Sequence, residues 1–264
     1  MMFTSAISQI IGSPQPNGPI LKTGPVFQDA GGSAASWDPR TITTGTVLLW
    51  LDPSQGVTMN GSNQVSQWDD QSASGFNFVQ ADTAQMYVYS ATAINGTPGL
   101  VSTSSRRMSY TGTFSSTGGR YLFATVVYPT QPTTGVNTMC EFDPTTYGTV
   151  APYLNGYCYD AFGRTLGRGF DGSVIAPATT AFVYTIYNQT GEWTAYKDGT
   201  QFYTEVPGGA LGWPASELWL GSKASGSLNG TYGDFIVVDS GGSALSGTDF
   251  NYIINGMKAK AGIT

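Results

Sequence analysis

At 264 residues and 27.9 kDa the chain has room for one large all-β domain or two small domains. Only 11% of it is charged, against ~25% in an average soluble domain, while 35 Gly, 33 Thr and 25 Ser supply 93 residues. That balance excludes helical bundles and coiled coils and suits a fold of many strands and turns, with 40% hydrophobic residues available for a core. From the N-terminus, residues 1–45 carry prolines at 14, 16, 19, 25 and 39 and glycines at 12, 18, 24, 31 and 32, with neither a helical nor a strand period. Such a segment reads as an extended, partly polyproline-like arm. With little core of its own, it gains order by lying along its own domain or along a neighbouring chain. Ile10, Ile11, Ile20, Leu21, Val26 and Phe27 are its docking anchors. Residues 46–264 read as a single further domain, without an internal repeat.

Strands and hairpins dominate from Thr46 on. Thr46–Asp52 is a buried run ending in a Pro turn, and Arg120–Tyr128 is long enough for a central strand. Asn155-Gly156 marks a type I′ turn, which pairs Leu154 with Tyr157 and Tyr153 with Cys158. That turn places Tyr153, Cys158 and Asp160 on one face. Asp198-Gly199 likewise pairs Lys197 with Thr200, with Trp193, Ala195 and Phe202 facing the core and Tyr196 and Tyr203 opposite. The run from Ala181 to Asn188 supplies a third strand, and Ser216–Ser222 and Gly230–Ser240 two more. Ser246–Lys260 is the one expected helix, with Ser246 as N-cap and Asp249 three residues on. Phe250, Ile253, Ile254 and Met257 form its apolar stripe, and Lys258 and Lys260 suit the dipole at its far end.

The charge balance, 11 basic against 17 acidic residues, argues against nucleic acid as a partner, since Arg106-Arg107 is the only adjacent basic pair. No apolar run approaches the ~20 residues of a membrane span. Met1–Ser13 lacks the positive region of a secretion signal, so a soluble protein made in a cytoplasm is expected. The absence of histidine removes the commonest general base, the triads that rely on it, and the usual zinc and copper sites. Cys140 and Cys158 leave two readings open. One is a disulfide, with a model-dependent benefit of ~3 kcal/mol; the other, favoured for a cytosolic product, is a pair of reduced thiols.

Three blocks resemble concanavalin A-like lectin/glucanase domains, in particular the laminin-G-like modules of bacterial and phage proteins. The first holds Trp50-Leu51-Asp52, then Val65 to Trp68-Asp69, a turn at Ser74-Gly75 and Asn77. The second is Ile94–Ser102. The third runs from Glu217 to Met257 through Leu220-Gly221-Ser222 and Gly233–Val238. Over residues 46–260 the resemblance implies an all-β, two-sheet antiparallel jelly-roll β-sandwich with one concave sheet and a short C-terminal helix.

The glucanases of that family carry a Glu-x-Asp-x-x-Glu pattern, or one residue longer, on one strand of the concave sheet. Retaining hydrolysis needs two carboxyls ~5–5.5 Å apart. Glu141-Phe142-Asp143 starts such a pattern, but no third carboxylate follows at either spacing, and the chain has only four Glu. A non-enzymatic protein is therefore expected. A sugar site needs aromatic faces beside Asp or Asn hydrogen bonds, sometimes through Ca²⁺. Asp143, Tyr147, Tyr153 and Asp160, with Trp213 on a separate loop, are the candidate ligand-binding residues. Trp68-Asp69-Asp70 would be the calcium loop, but without a full ligand set no metal is assigned; packing and turn formation account for it. Few charges, abundant Gly, Ser, Thr and Tyr and the arm resemble phage virion proteins. The expectation is thus a virion structural protein decorating a capsid, its arm docked on capsid or tail subunits of a symmetric assembly. The alternatives are a tail-associated adhesin recognising host-surface glycan and, third, a secreted bacterial carbohydrate-binding module.

Overall fold

A computed structural model describes residues 37–103, 105–114, 118–129, 138–142, 149–150, 158–160, 168–170, 178–206, 215–221 and 228–264. The arm anchors and the 155–156 turn lie outside these residues. After a 3₁₀ turn at Pro39–Thr41 come β1 (Thr46–Leu51), β2 (Val57–Met59), β3 (Val65–Trp68), β4 (Phe78–Val79), β5 (Val88–Ile94) and β6 (Thr97–Ser102). Then follow β7 (Met108–Phe114), β8 (Arg120–Tyr128), β9 (Thr138–Phe142), β10 (Thr149–Val150), β11 (Cys158–Asp160) and β12 (Arg168–Phe170). The chain continues through β13 (Ala178–Gln189), β14 (Glu192–Lys197), β15 (Thr200–Glu205), β16 (Ala215–Leu220), β17 (Gly230–Asp239) and α1 (Gly247–Lys260).

Two antiparallel sheets form the jelly-roll sandwich. The first runs β15-β14-β13-β8-β17-β6-β5, with β1 also paired to β17, and the second β12-β11-β10-β9-β16-β7-β4-β3-β2. β8 is central in its sheet, as its length predicts. It and β17 are buried almost throughout because both faces are covered. Leu122, Ala124 and Val126 face the core between the sheets, with Trp68, Trp193, Leu218 and Phe235. Tyr121 and Phe123 face away, into a second core closed by Ile253, Ile254 and Met257 of α1. A strand buried on both sides loses the polar alternation of a half-exposed one, which is why this run reads as continuously apolar.

The Asp198-Gly199 turn forms as expected: both residues have positive φ (52° and 84°) and Lys197 faces Thr200. The expected faces do not hold throughout. A bulge after Ala195 brings Tyr203, not Phe202, opposite Ala195, and the Tyr203 ring meets Trp193 edge-on, with centroids 6.3 Å apart. Tyr203 therefore joins the core face, where Phe202 also packs, while Tyr196 stays opposite, against Phe250. The β10–β11 register also departs from expectation: Val150 faces Tyr159, whereas a two-residue turn at 155–156 would set it opposite Ala161. Cys140 is buried on β9; the Cys158 side chain lies outside the described residues.

In α1, Ser246 caps the first turn by accepting from the Asp249 N–H at 3.1 Å. Asp249 does not complete a capping box. Its Oδ2 instead accepts from the backbone N–H groups and hydroxyls of Thr43 and Thr44, at 2.6–3.2 Å, tying the helix to the approach of β1. Lys260, expected to serve the helix dipole, forms ion pairs with Asp52 and Asp234.

Candidate functional site

In β16 the pattern Glu217-Leu218-Trp219-Leu220 separates two faces. Leu218 and Leu220 are fully buried, so Glu217 and Trp219 project outward from the second sheet, both half-buried. Register extends this position sideways. Trp219 faces Glu141 of β9 on one side and Ser109 of β7 on the other. Ser109 faces Val79, Val79 faces Gln67, and Gln67 faces Thr58. Directly opposed residues share a face, so Thr58, Gln67, Val79, Ser109, Trp219 and Glu141 form one outward row across six strands, about 24 Å long at ~4.8 Å per strand.

The aromatic member of the row is held in place. The indole Nε1 of Trp219 donates to Glu217 Oε2 at 3.0 Å, fixing the ring along the strand. The guanidinium carbon of Arg107 sits 5.3 Å from the ring centroid, within cation–π range. Arg107 in turn donates from Nε to Gln85 Oε1 at 2.7 Å and from its backbone N–H to Gln85 O at 2.9 Å, while Gln80 Nε2 donates to its carbonyl at 2.9 Å. The face thus offers an oriented indole, two flanking carboxylates as acceptors, an arginine, and Ser, Gln and Thr side chains. A pyranose presents an apolar C–H face that suits the electron-rich face of an indole, and hydroxyls that suit such polar neighbours.

Of the residues expected in the site, Asp143, Tyr147, Tyr153 and Trp213 lie outside the described residues. Asp160 is on β11 opposite Arg168, with its side chain likewise undescribed. Trp219, Glu217 and Arg107 were not among them, although the strict alternation of Glu-Leu-Trp-Leu was the signal for the first two. The 68–70 segment is structural. Trp68 is fully buried and donates to the Asp52 carbonyl at 3.0 Å. The Asp70 carboxylate accepts from the N–H groups of Trp50, Ser72 and Phe76 and from the Ser72 hydroxyl, at 2.7–2.9 Å. With four donors on it, that carboxylate has no coordination left to offer calcium. Among the described residues no group of three or more His, Cys, Asp or Glu could hold a metal ion.

A separate small cleft, with a cavity volume of ≈ 20 Å³, is lined by Ser54, Ile94, Pro98, Thr125, Asp234 and Lys260, among others. That suits about one water molecule and excludes a sugar. Burial, opposed by Lys260 and reinforced by Asp52, pushes the Asp234 carboxyl up to about 6.

No family model matches the chain, and no curated protein matches it. Solved structures do. Domain 4 of AbnA, a GH43 extracellular arabinanase from Geobacillus stearothermophilus in complex with arabinotriose, is similar at 11% identity and TM-score 0.58, over 78% of this chain and 97% of that one. The botulinum neurotoxin type D ligand-binding domain in complex with N-acetylneuraminic acid is similar at 15% identity and TM-score 0.52, over 80% and 50%. The binding domain of Paraclostridial Mosquitocidal Protein 1 gives 11% and 0.53, over 79% and 52%. The chain spans about half the length of these toxin domains. At such identities the likeness shows the fold alone. That fold is a jelly-roll β-sandwich.

Proposed function

We propose that this chain is a non-enzymatic, lectin-like module that recognises a host-surface glycan on the outward face of its second sheet, as part of a phage virion. The observation that carries glycan recognition is the Trp219 row: an oriented indole flanked by Glu141 and Glu217 in a partly exposed row across six strands of the described residues. Such a row suits an extended oligosaccharide laid across the strands. The structural neighbours solved with arabinotriose and N-acetylneuraminic acid support a sandwich of this kind serving that use. The non-enzymatic reading rests on the incomplete carboxylate pattern after Glu141. A glycan-array screen followed by titration of the best hit tests it. Trp219→Ala is expected to weaken binding at least tenfold with little change in thermal stability, because the ring is outside the core. Binding that is indifferent to Trp219→Ala would remove this face from consideration.

A second reading, capsid decoration through residues 1–45, is favoured by the Pro- and Gly-rich composition of that segment, its apolar anchors and the resemblance to virion modules. A blank array together with co-sedimentation on undecorated particles, lost on deleting residues 1–36, would favour it over glycan recognition.

A further inference from the structure

The last turn of α1 lies beside the end of β1 and the middle of β17, where Asp52, Asp234 and Lys260 meet. Lys260 Nζ pairs with both carboxylates, with Asp234 Oδ1 at 2.8 Å. The two aspartates are 1% and 2% exposed, so one ammonium serves two buried carboxylates. Asp52 has further donors: the Ser54 N–H and hydroxyl and Gln55 Nε2, at 2.6–2.8 Å. Asp234 additionally accepts from Trp50 Nε1 at 3.1 Å. The cleft wall on its other side is Ile94 of β5, Thr97 and Pro98 of β6 and Thr125 of β8, none of them charged. Thr125 is 1% exposed, and its Oγ1 has no hydrogen-bond partner. Beside Asp234 there is therefore an unsatisfied hydroxyl and room for one water, either of which can accept a hydrogen bond from the O–H of a neutral carboxyl.

We propose that Asp234 works as a proton-operated clasp, taking up a proton in mildly acid solution so that Lys260 and Asp52 remain as a balanced pair and the end of α1 is held more tightly than at neutral pH. With both carboxylates ionised the buried cluster carries a net negative charge, and the cost of burying it is relieved by one proton. The raised Asp234 carboxyl fits this. A folded-state value of about 6 against 3.8 means that the contribution is fully present below 3.8 and is lost as pH rises through about 6. The window is unusually clean, because the chain has no histidine to titrate there.

Urea unfolding of the full chain at about pH 5 and about pH 7.5 tests the clasp. The unfolding equilibrium constant is expected to be about tenfold smaller at the lower pH, as linkage requires for those two values. Asp234→Asn should abolish the difference. Lys260→Met should widen it, since Asp234 and Asp52 then repel without a counter-ion. Amide protection in the last turn of α1, corrected for the intrinsic pH dependence of exchange, should rise at the lower pH in the unsubstituted chain and not in Asp234→Asn. A pH difference that survives in Asp234→Asn, or no difference in the unsubstituted chain, overturns the proposal. If Lys260→Met does not fold at either pH, the Asp234→Asn comparison decides.

Discussion

At the scale of single residues, Asp70 shows how a buried carboxylate shapes a loop without chemistry of its own. It is 9% exposed and holds three backbone N–H groups and a hydroxyl, joining β1 at Trp50 to the 72–76 turn. Its removal strands those buried donors, and hydrogen bonds to charged groups are worth ~1.5–3 kcal/mol each, though not additively. Asp70→Ala is therefore expected to cost about 3–5 kcal/mol in denaturant unfolding, without altering the Trp219 face. A loss under about 1 kcal/mol would mean that water replaces the carboxylate there. The string Trp68-Asp69-Asp70 reveals the acidic turn but not its partners, since hydrogen bonding to Trp50 depends on a strand 20 residues away. Trp219 was more accessible to reading: two leucines alternating with Glu and Trp already separate an inward from an outward face.

Elements whose shape depends on nearest neighbours were legible; those shaped by distant contacts were not. The length of β8, the Asp198-Gly199 turn and the Ser246 cap all follow from short-range chemistry. The bulge that turns Tyr203 inward breaks the two-residue period from within, and the pairing of Lys260 with Asp52 joins residues far apart in the chain. Gly256 makes the same point within α1. In an isolated helix, exchanging Gly for Ala gains ~1 kcal/mol. Here a Cβ at 256 would lie 2.0 Å from Nε1 of the Trp37 indole, whose ring also meets Trp50 edge-on with centroids 6.0 Å apart. Gly256→Ala should therefore destabilise the fold by about 1–2 kcal/mol despite better helix propensity, because the indole must leave its seat. Quenching and emission wavelength of Trp37 would report the displacement; a stabilised variant with unchanged emission would show that the ring shifts at no cost.

For the molecule as a whole, the compact unit runs from Trp37 to Thr264, and residues 37–44 are bound to α1 along its length. Trp37 packs on Gly256, the Tyr252 hydroxyl bonds to Asp38 and Thr41, and Asp249 receives four hydrogen bonds from Thr43 and Thr44. Those donors hold the Asp249 carboxyl below its ordinary value, so this contribution is present above 3.8 and fades in stronger acid. Two truncations should then differ sharply. A chain beginning at Trp37 keeps every one of these contacts and should match the full chain in unfolding free energy to within about 0.5 kcal/mol. A chain beginning at Gly45 strands the Asp249 carboxylate, which is 6% exposed, and removes Ile42 and Trp37 from the second core, at a cost of about 3 kcal/mol or more. The difference has a consequence for any assembly experiment: only the shorter deletion separates attachment from folding. Loss of particle binding by the chain beginning at Trp37, with glycan binding retained, would assign attachment to residues 1–36 and recognition to the sandwich. Equal stability of the two truncations would instead show that the 37–44 strap contributes nothing to the fold it crosses.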